Sequence, residues 1–210
     1  MRIITISRQF GSGGRELGKR LSDIMKMDYY DKEILEKLSR EEGLDKEYLN
    51  HVLTNHEWNT IPISFAHSFM GTEFIPQANV SLLSRQREII EDIAKYGNDC
   101  IIVGRNADVI LREYKPFRVF VCADMEARME RCIAHEEKKD EKERLDEKEI
   151  RRNIRRIDRD RNRMRESVSG KDSSDSSAFD LVINSANWEI KELAPAVAEF
   201  AVSFFERSEK

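Results

Sequence analysis

Residues 3 to 21 combine a short apolar run, a group of glycines and two arginines in an order that suits phosphate binding. The first residues of this stretch, IITI, are mostly β-branched, which predicts a buried strand. Glycines follow at positions 11, 13 and 14, and leucines at helical spacing come next. Glycines let successive backbone N–H groups point into one concavity, and a helix N-terminus adds partial positive charge there. We therefore predict a phosphate site formed by Gly11, Ser12, Gly13 and Gly14.

Arg8 and Arg15 flank the glycines, and guanidinium groups bind phosphate through paired hydrogen bonds. The spacing differs from that of the standard nucleotide-binding loop, in which a second glycine is followed by lysine. On that pattern Arg8 takes the place of the first glycine and Gly14 takes the place of the lysine. An ordinary tight strand-to-helix turn is the competing interpretation. The glycine content with an arginine on each side favours phosphate binding.

Composition excludes several classes of protein. The 36 basic and 40 acidic residues of the 210-residue chain give a formal net charge of −4, which argues against a general nucleic-acid or membrane-surface binder. The sequence contains neither an apolar run of membrane-spanning length nor a signal peptide, so we expect a cytoplasmic protein. The three cysteines are scattered and predicted to be reduced, and the histidines show no zinc-ligand spacing with them.

Apolar runs alternate with helical patterns along the chain, which predicts a single α/β domain with a parallel sheet covered on both faces. In such sheets ligands bind beyond the carboxyl ends of the strands. The glycine-rich turn, Asp31 and Arg105 each follow a predicted strand. We therefore expect these groups to meet at one edge of the sheet.

Residues 150–165 contain eight arginines and two acidic residues. Ile150, Ile154, Ile157 and Arg161 share one face of the predicted helix. Three interpretations apply to this helix: a solvated helix that pairs with the charged run before it, a nucleic-acid contact, or a lid whose arginines neutralise phosphate during transfer. The phosphate site predicted at the start of the chain favours the lid, which would be mobile without ligand.

Residues 56–77 are apolar but poorly periodic. Three interpretations stay open for this insert: closure over a substrate, a contact between subunits of a homo-oligomer, or a loop packed on its own core.

The chain resembles the cytidylate kinase-like family of nucleoside monophosphate kinases over nearly its whole length. The matching runs are ITISRQFGSGGRELGKRL, YYDKEI, CIIVGRNADVIL, IDRDRNR and FDLVINS. The resemblance implies an α/β fold in three layers with a five-stranded parallel sheet of the nucleoside monophosphate kinase type. It also implies a helical acceptor-binding insert (31–97) and an arginine-rich lid (136–172) on one core (1–30, 98–135 and 178–210).

The resemblance also implies roles for single residues. The run Gly11 to Gly14 would bind the donor phosphates, and Asp31 would lie near the metal and the acceptor phosphate. Arg105 would hold the acceptor, with Asp158 as a further acceptor-binding group. Catalytic roles would fall to Asp31, Arg159 and Arg161. To these we add Arg15 as a catalytic candidate, because it could supply positive charge that the family pattern provides through a lysine.

The sequence departs from the family pattern at several of these positions. Gly14 replaces the lysine of the phosphate loop, and Asn106 replaces the aspartate of the acceptor motif. We expect Arg8 or Arg15 to supply the missing positive charge, and Glu16 or Asp31 to help hold Mg²⁺.

The predicted activity is transfer of the γ-phosphate of ATP, with Mg²⁺, to a small-molecule or nucleotide acceptor, with a nucleoside monophosphate as one candidate. The alternative is a non-catalytic nucleotide- or phosphate-binding module with a kinase fold.

Overall fold

A computed structural model describes residues 1–31, 80–137, 144–170 and 175–208, with the backbone alone for residues 80–83. The strands in these ranges are β1 (Ile3–Arg8), β2 (Asp28–Tyr30), β3 (Cys100–Val103), β4 (Phe117–Cys122) and β5 (Leu181–Asn184). The α-helices are α1 (Gly14–Met25), α2 (Val80–Tyr96), α3 (Ala107–Ile110), α4 (Met125–Glu136), α5 (Glu147–Ser169) and α6 (Ile190–Ser208). Two short 3₁₀ turns span Arg112–Tyr114 and Ser176–Ala178.

The five strands form one parallel sheet in the order β2-β3-β1-β4-β5. In the centre of the sheet, Ile4 of β1 lies beside Ile101 of β3 and Phe117 of β4. Because all strands run the same way, their carboxyl ends lie along one edge. The predicted α/β class and five-stranded parallel sheet are confirmed.

Helices cover both faces of the sheet, as the alternation of side chains along β1 requires. Ile4 and Ile6 point to one face, where they pack with the apolar sides of α1 and α6. Ile3 points to the opposite face and packs with α2 and α3. All three isoleucines are at most 1% exposed. The predicted three-layer arrangement is therefore confirmed.

Helix α5 begins earlier and ends later than the predicted helix at 150–165. Asp146 accepts a hydrogen bond from the Glu149 N–H (2.7 Å), and the Glu149 carboxylate accepts one from the Asp146 N–H (3.3 Å). This reciprocal capping box starts the helix at Glu147. The apolar face of α5 then packs with α4 and Phe10 through buried Ile150, Ile154 and Ile157. The N-terminal half of α5 is therefore part of the core.

The three cysteines are free thiols. Burial raises the pKa of Cys100 and of Cys132 to about 12, so both are protonated at neutral pH and are poor nucleophiles.

Apart from residue 31, the helices predicted at 31–42 and 45–55 and the insert at 56–77 lie outside the described residues, as do residues 138–143 and 171–174 of the predicted lid. The helical insert and the lid boundaries stay predictions.

Within the described ranges, every helix is too short or too polar to cross a lipid bilayer.

Phe117→Ala is expected to lower the free energy of unfolding by about 3–5 kcal/mol, since it empties a fully buried site in the central sheet. The Phe117 ring also packs against the rings of Phe200 and Phe204, with centroids 5.7 and 4.9 Å away. Urea denaturation measures the change. Ile24→Ala, at a position that is 47% exposed, is the control and should change stability by no more than about 0.5 kcal/mol. Equal losses in the two variants would contradict the assigned core.

Candidate functional site

The turn between β1 and α1 combines two glycines in a left-handed conformation with a helix N-terminus that has no side-chain cap. We call residues 9–13 the glycine loop. Gly11 and Gly13 both have φ = +79°, a left-handed conformation that favours glycine. Gly13 is the N-cap of α1, and no side chain caps the first turn of that helix. The first N–H groups of an α-helix have no partner within the helix, so this end of α1 can bind an anion.

Ser12 holds the glycine loop against the sheet through its side chain. Its hydroxyl donates to the carbonyl oxygens of Gln9 (2.9 Å) and Val121 (3.0 Å). The carbonyl of Ser12 in turn accepts a hydrogen bond from the Ser185 hydroxyl (2.7 Å). The Ser12 hydroxyl is therefore used for anchoring, and the Ser12 N–H makes a long contact with the Gln9 carbonyl oxygen (3.4 Å).

Arg8 leaves no space for a side chain at position 14. A Cβ atom placed on Gly14 would lie 2.7 Å from Arg8 Cβ, which is too close for real side chains. Arg8 Cβ is fixed by strand β1, so it cannot move aside easily. The Arg8 side chain then runs over Gly104, where an added Cβ would lie 1.7 Å from Arg8 Nη1. A lysine at position 14 is thus incompatible with Arg8 in this conformation.

Arginines from three elements gather beside this loop. Arg8 ends β1, Arg105 lies in the turn after β3, and Arg161 reaches in from α5, where its Nη1 donates to the Arg8 carbonyl (3.0 Å). Burial, and then the charge of Arg161, hold the pKa of Arg8 well below its usual value, and Arg105 acts in the same direction. The pKa of Arg161 is lowered to about 10, chiefly by burial; Asp158 raises it, and Arg128 and Arg105 contribute to the lowering.

Guanidinium groups nevertheless remain protonated in proteins. The lowered pKa values therefore reflect partly buried positive charges that repel one another. A bound anion would relieve that repulsion.

Asp31 lies at the end of β2, where Arg15 contacts it from the first turn of α1. Arg15 Nε donates to Asp31 Oδ2 at 2.7 Å, and Arg15 Nη2 is 2.6 Å from the same oxygen. Asp31 is 4% exposed. Burial and the Asp31 charge raise the pKa of the neighbouring Tyr29 hydroxyl, which therefore stays protonated. The structure thus brings Asp31 and Arg15 together beside the glycine loop.

The side chains present can be compared with what Mg²⁺ requires. Within the described ranges, no three or more Asp, Glu, His or Cys side chains form a group that could hold a metal. Mg²⁺ is commonly bound by one or two carboxylates, with substrate phosphates and water completing its shell. Asp31 fits that pattern. Glu16 lies on α1 and accepts a hydrogen bond from Arg20 (2.7 Å). In the comparison with the standard nucleotide-binding loop, the position of the hydroxyl residue is taken by Arg15.

Two residues of α5 that the sequence placed in the site have other surroundings. Arg159 is exposed, and it lies two residues from Arg161, about 200° around the helix. Asp158 accepts a hydrogen bond from the Phe10 N–H (2.7 Å) and forms an ion pair with Arg128. A catalytic role for Arg159 and an acceptor-binding role for Asp158 stay predictions.

Sequence reasoning missed three buried charged residues near the loop. Arg128 is 5% exposed, and Arg165 of α5 forms a buried ion pair with Asp108 (2.7 Å). The Arg165 guanidinium also lies over the Phe179 ring, 4.8 Å from its centroid. The sequence contained a signal for Arg165, because Ile157, Arg161 and Arg165 follow one another at intervals of four residues and therefore share one face of α5.

Comparison with known proteins identifies the family and the fold. A family model described as the cytidylate kinase-like family matches residues 3–187. No curated protein sequence matches the chain significantly. An uncharacterised protein from Eubacterium ventriosum has a similar structure, with a TM-score of 0.70 and 20% sequence identity over 97% of this chain and 99% of that one.

Two shikimate kinases also have similar structures. The enzyme from Bacteroides thetaiotaomicron has a TM-score of 0.54 and 12% identity over 95% of this chain and 97% of its own. The enzyme from Acinetobacter baumannii, solved in complex with shikimate, has a TM-score of 0.54 and 9% identity over 97% of this chain and 94% of its own. At these identities the similarity establishes a shared kinase fold.

Inorganic pyrophosphate is expected to stabilise the folded protein, because it would relieve the repulsion among the gathered guanidinium groups. At a concentration a hundred times its Kd, the free energy of unfolding should rise by about 2.7 kcal/mol. Urea denaturation at constant ionic strength measures this. Arg161→Gln should weaken the response, whereas Arg152→Gln, at an exposed position of the same helix, should preserve it. An equal rise with sodium chloride would contradict a specific site.

Proposed function

We propose a phosphotransferase function for this chain, which belongs to the cytidylate kinase-like family. The reaction is transfer of the γ-phosphate of ATP to a small acceptor, with a nucleoside monophosphate as the first candidate. One observation carries the proposal: an uncapped helix N-terminus behind a glycine loop lies at the same edge of the sheet as the guanidinium groups of Arg8, Arg105 and Arg161.

This arrangement suits the chemistry. Phosphoryl transfer needs donor and acceptor held in line and the developing charge on the phosphoryl oxygens neutralised. The glycine loop and the N-terminus of α1 would hold the donor phosphates. Arg8 and Arg161 lie at the loop and would neutralise charge, while Arg105 would hold an anionic acceptor.

Bound Mg²⁺ would add further neutralisation of the donor phosphates. Asp31 would contribute a carboxylate to it, directly or through water. Arg15 orients that carboxylate through its contacts with Oδ2. The contribution of Glu16 is secondary in this proposal, because its carboxylate already pairs with Arg20.

A non-catalytic binding module is the second candidate, and two observations favour it. The lysine that usually contacts the transferred phosphate is replaced by Gly14. The Asp31 carboxylate is already paired with Arg15, so it would have to share its oxygens with a metal or an acceptor. Such a module would bind ATP tightly without turning it over.

A panel assay separates the two candidates. ATP consumption is measured with Mg²⁺ against nucleoside monophosphates and small alcohols, including shikimate. Turnover that depends on one acceptor is the expected result. Tight ATP binding without turnover on any acceptor would favour the binding module, and absence of ATP binding would refute both.

The steric link between Arg8 and Gly14 gives a second test. Arg8→Gly should weaken ATP binding by about tenfold, because it removes a charge-assisted contact with phosphate. Gly14→Lys alone should also weaken binding, because its Cβ meets Arg8. The double variant restores both the space and a positive charge, so its ATP affinity should exceed that of either single variant.

Isothermal titration calorimetry provides the affinities, with Arg152→Gln as the control for loss of a surface charge. If the double variant binds ATP no better than Arg8→Gly, then Arg8 does not stand in for the lysine.

A further inference from the structure

We propose that Arg128 and Asp158 form a positioning clamp on Phe10 that couples the seating of α5 to the conformation of the glycine loop. The clamp would set the affinity of the loop for phosphate, and to that extent the inference rests on the proposed function. Neither residue need touch the substrate. Both act through the backbone of Phe10.

The clamp holds both backbone polar groups of Phe10. The Phe10 N–H donates to Asp158 Oδ1 (2.7 Å), and the Phe10 carbonyl accepts a hydrogen bond from Arg128 Nε (2.6 Å). Arg128 Nη2 closes the arrangement by pairing with Asp158 Oδ2. Each of these contacts involves a charged group and is therefore stronger than a neutral hydrogen bond. The three contacts fix one residue of the loop between two helices.

Helix α5 makes further contacts with the same segment. Arg161, one turn after Asp158, donates to the carbonyl of Arg8 (3.0 Å), and its guanidinium carbon lies 5.6 Å from the centroid of the Phe10 ring. The ring itself is 4% exposed and packs with Ile154 and Ile157. Helix α5 therefore holds residues 8 and 10 in addition to the strand contacts that residues 8 and 9 make with β4.

Helix α4 supports the loop from behind. An added Cβ on Gly11 would lie 3.0 Å from the Arg128 carbonyl oxygen and 3.2 Å from Cys132 Sγ. The loop thus lies directly on α4, at the turn that carries Arg128. In this proposal, the contact with α4 sets the direction of the backbone N–H groups that follow Phe10 in the glycine loop. If α5 moved away, Asp158 would leave and the buried charge of Arg128 would lose its carboxylate, which is strongly unfavourable.

Asp158→Asn tests the clamp, because it keeps the shape of the side chain and removes its charge. The two readouts are the hydrogen-exchange rate of the Phe10 amide, followed by NMR without nucleotide, and the Kd for ATP. We expect the exchange rate at Phe10 to rise about tenfold or more and the Kd to rise about tenfold. Exchange in β1 and β3 should change much less. Combining Asp158→Asn with Arg128→Gln should add little to either single change.

Asp160→Asn is the matched control, since Asp160 lies on the same helix and its nearest ion-pair contact is Arg156 at 3.9 Å. It should leave both readouts unchanged. If Asp158→Asn does not fold, Arg128→Lys takes its place: it keeps the charge but lacks the planar fork that reaches both Phe10 and Asp158.

Several outcomes would overturn the clamp. Unchanged exchange at Phe10 would do so, as would an equal rise in β1 and β3, which would indicate only global loss of stability. Faster exchange at Phe10 with unchanged ATP affinity would remove the coupling to phosphate binding. If the wild-type protein binds no ATP, the proposed function fails, whereas the exchange rate at Phe10 still decides whether the clamp exists.

Discussion

The N-terminus of α1 has no side-chain cap, and several contacts in the described structure keep its first N–H groups open to solvent. The first N–H groups of a helix need partners, and a side chain at the N-cap normally provides one. Gly13 provides none, and its positive φ turns the backbone so that the helix begins at the carboxyl edge of the sheet. The Ser12 hydroxyl does not cap the helix, because it is bonded to the carbonyl groups of Gln9 and Val121. The partial positive charge of an uncapped helix N-terminus favours binding of an anion in this position.

The positive charge beside the glycine loop comes from an arginine of the sheet. The standard phosphate loop has a lysine on the helix, whereas here Arg8 ends β1 beside the loop, and a side chain at position 14 would collide with it. Arg8 also lies against Gly104, so a glycine after β3 is needed for the guanidinium to fit. The pKa values of Arg8 and Arg161 are lowered chiefly by burial, and repulsion between neighbouring guanidinium groups adds to the lowering. Such repulsion is tolerable where a polyanionic ligand binds.

Helix α5 has two functions that a mobile lid alone would not require. Its apolar face completes a core cluster with α4, and its Arg165 makes a buried ion pair with Asp108 beneath the sheet edge. Its Asp158 and Arg161 contact the backbone of residues 8 and 10. The helix that carries the arginines therefore also packs against the glycine loop. Movement of α5 would be expected to alter phosphate binding as well as charge neutralisation.

The sequence by itself determined the sheet, the covering helices and the position of the glycine loop, because these depend on local periodicity and on glycine placed after an apolar strand. It also predicted that Asp31 and Arg105 lie near that loop, since parallel strands end at one edge. It did not disclose that Arg8 excludes a side chain at Gly14, that Asp158 faces Phe10, or that Arg128 is buried. Those relations join residues up to 148 positions apart, and they depend on how helices sit on the sheet. The sequence placed Arg161 on the apolar face of the helix, whereas only the tertiary structure shows that this face packs against α4 and Phe10, so that Arg161 reaches the Arg8 carbonyl.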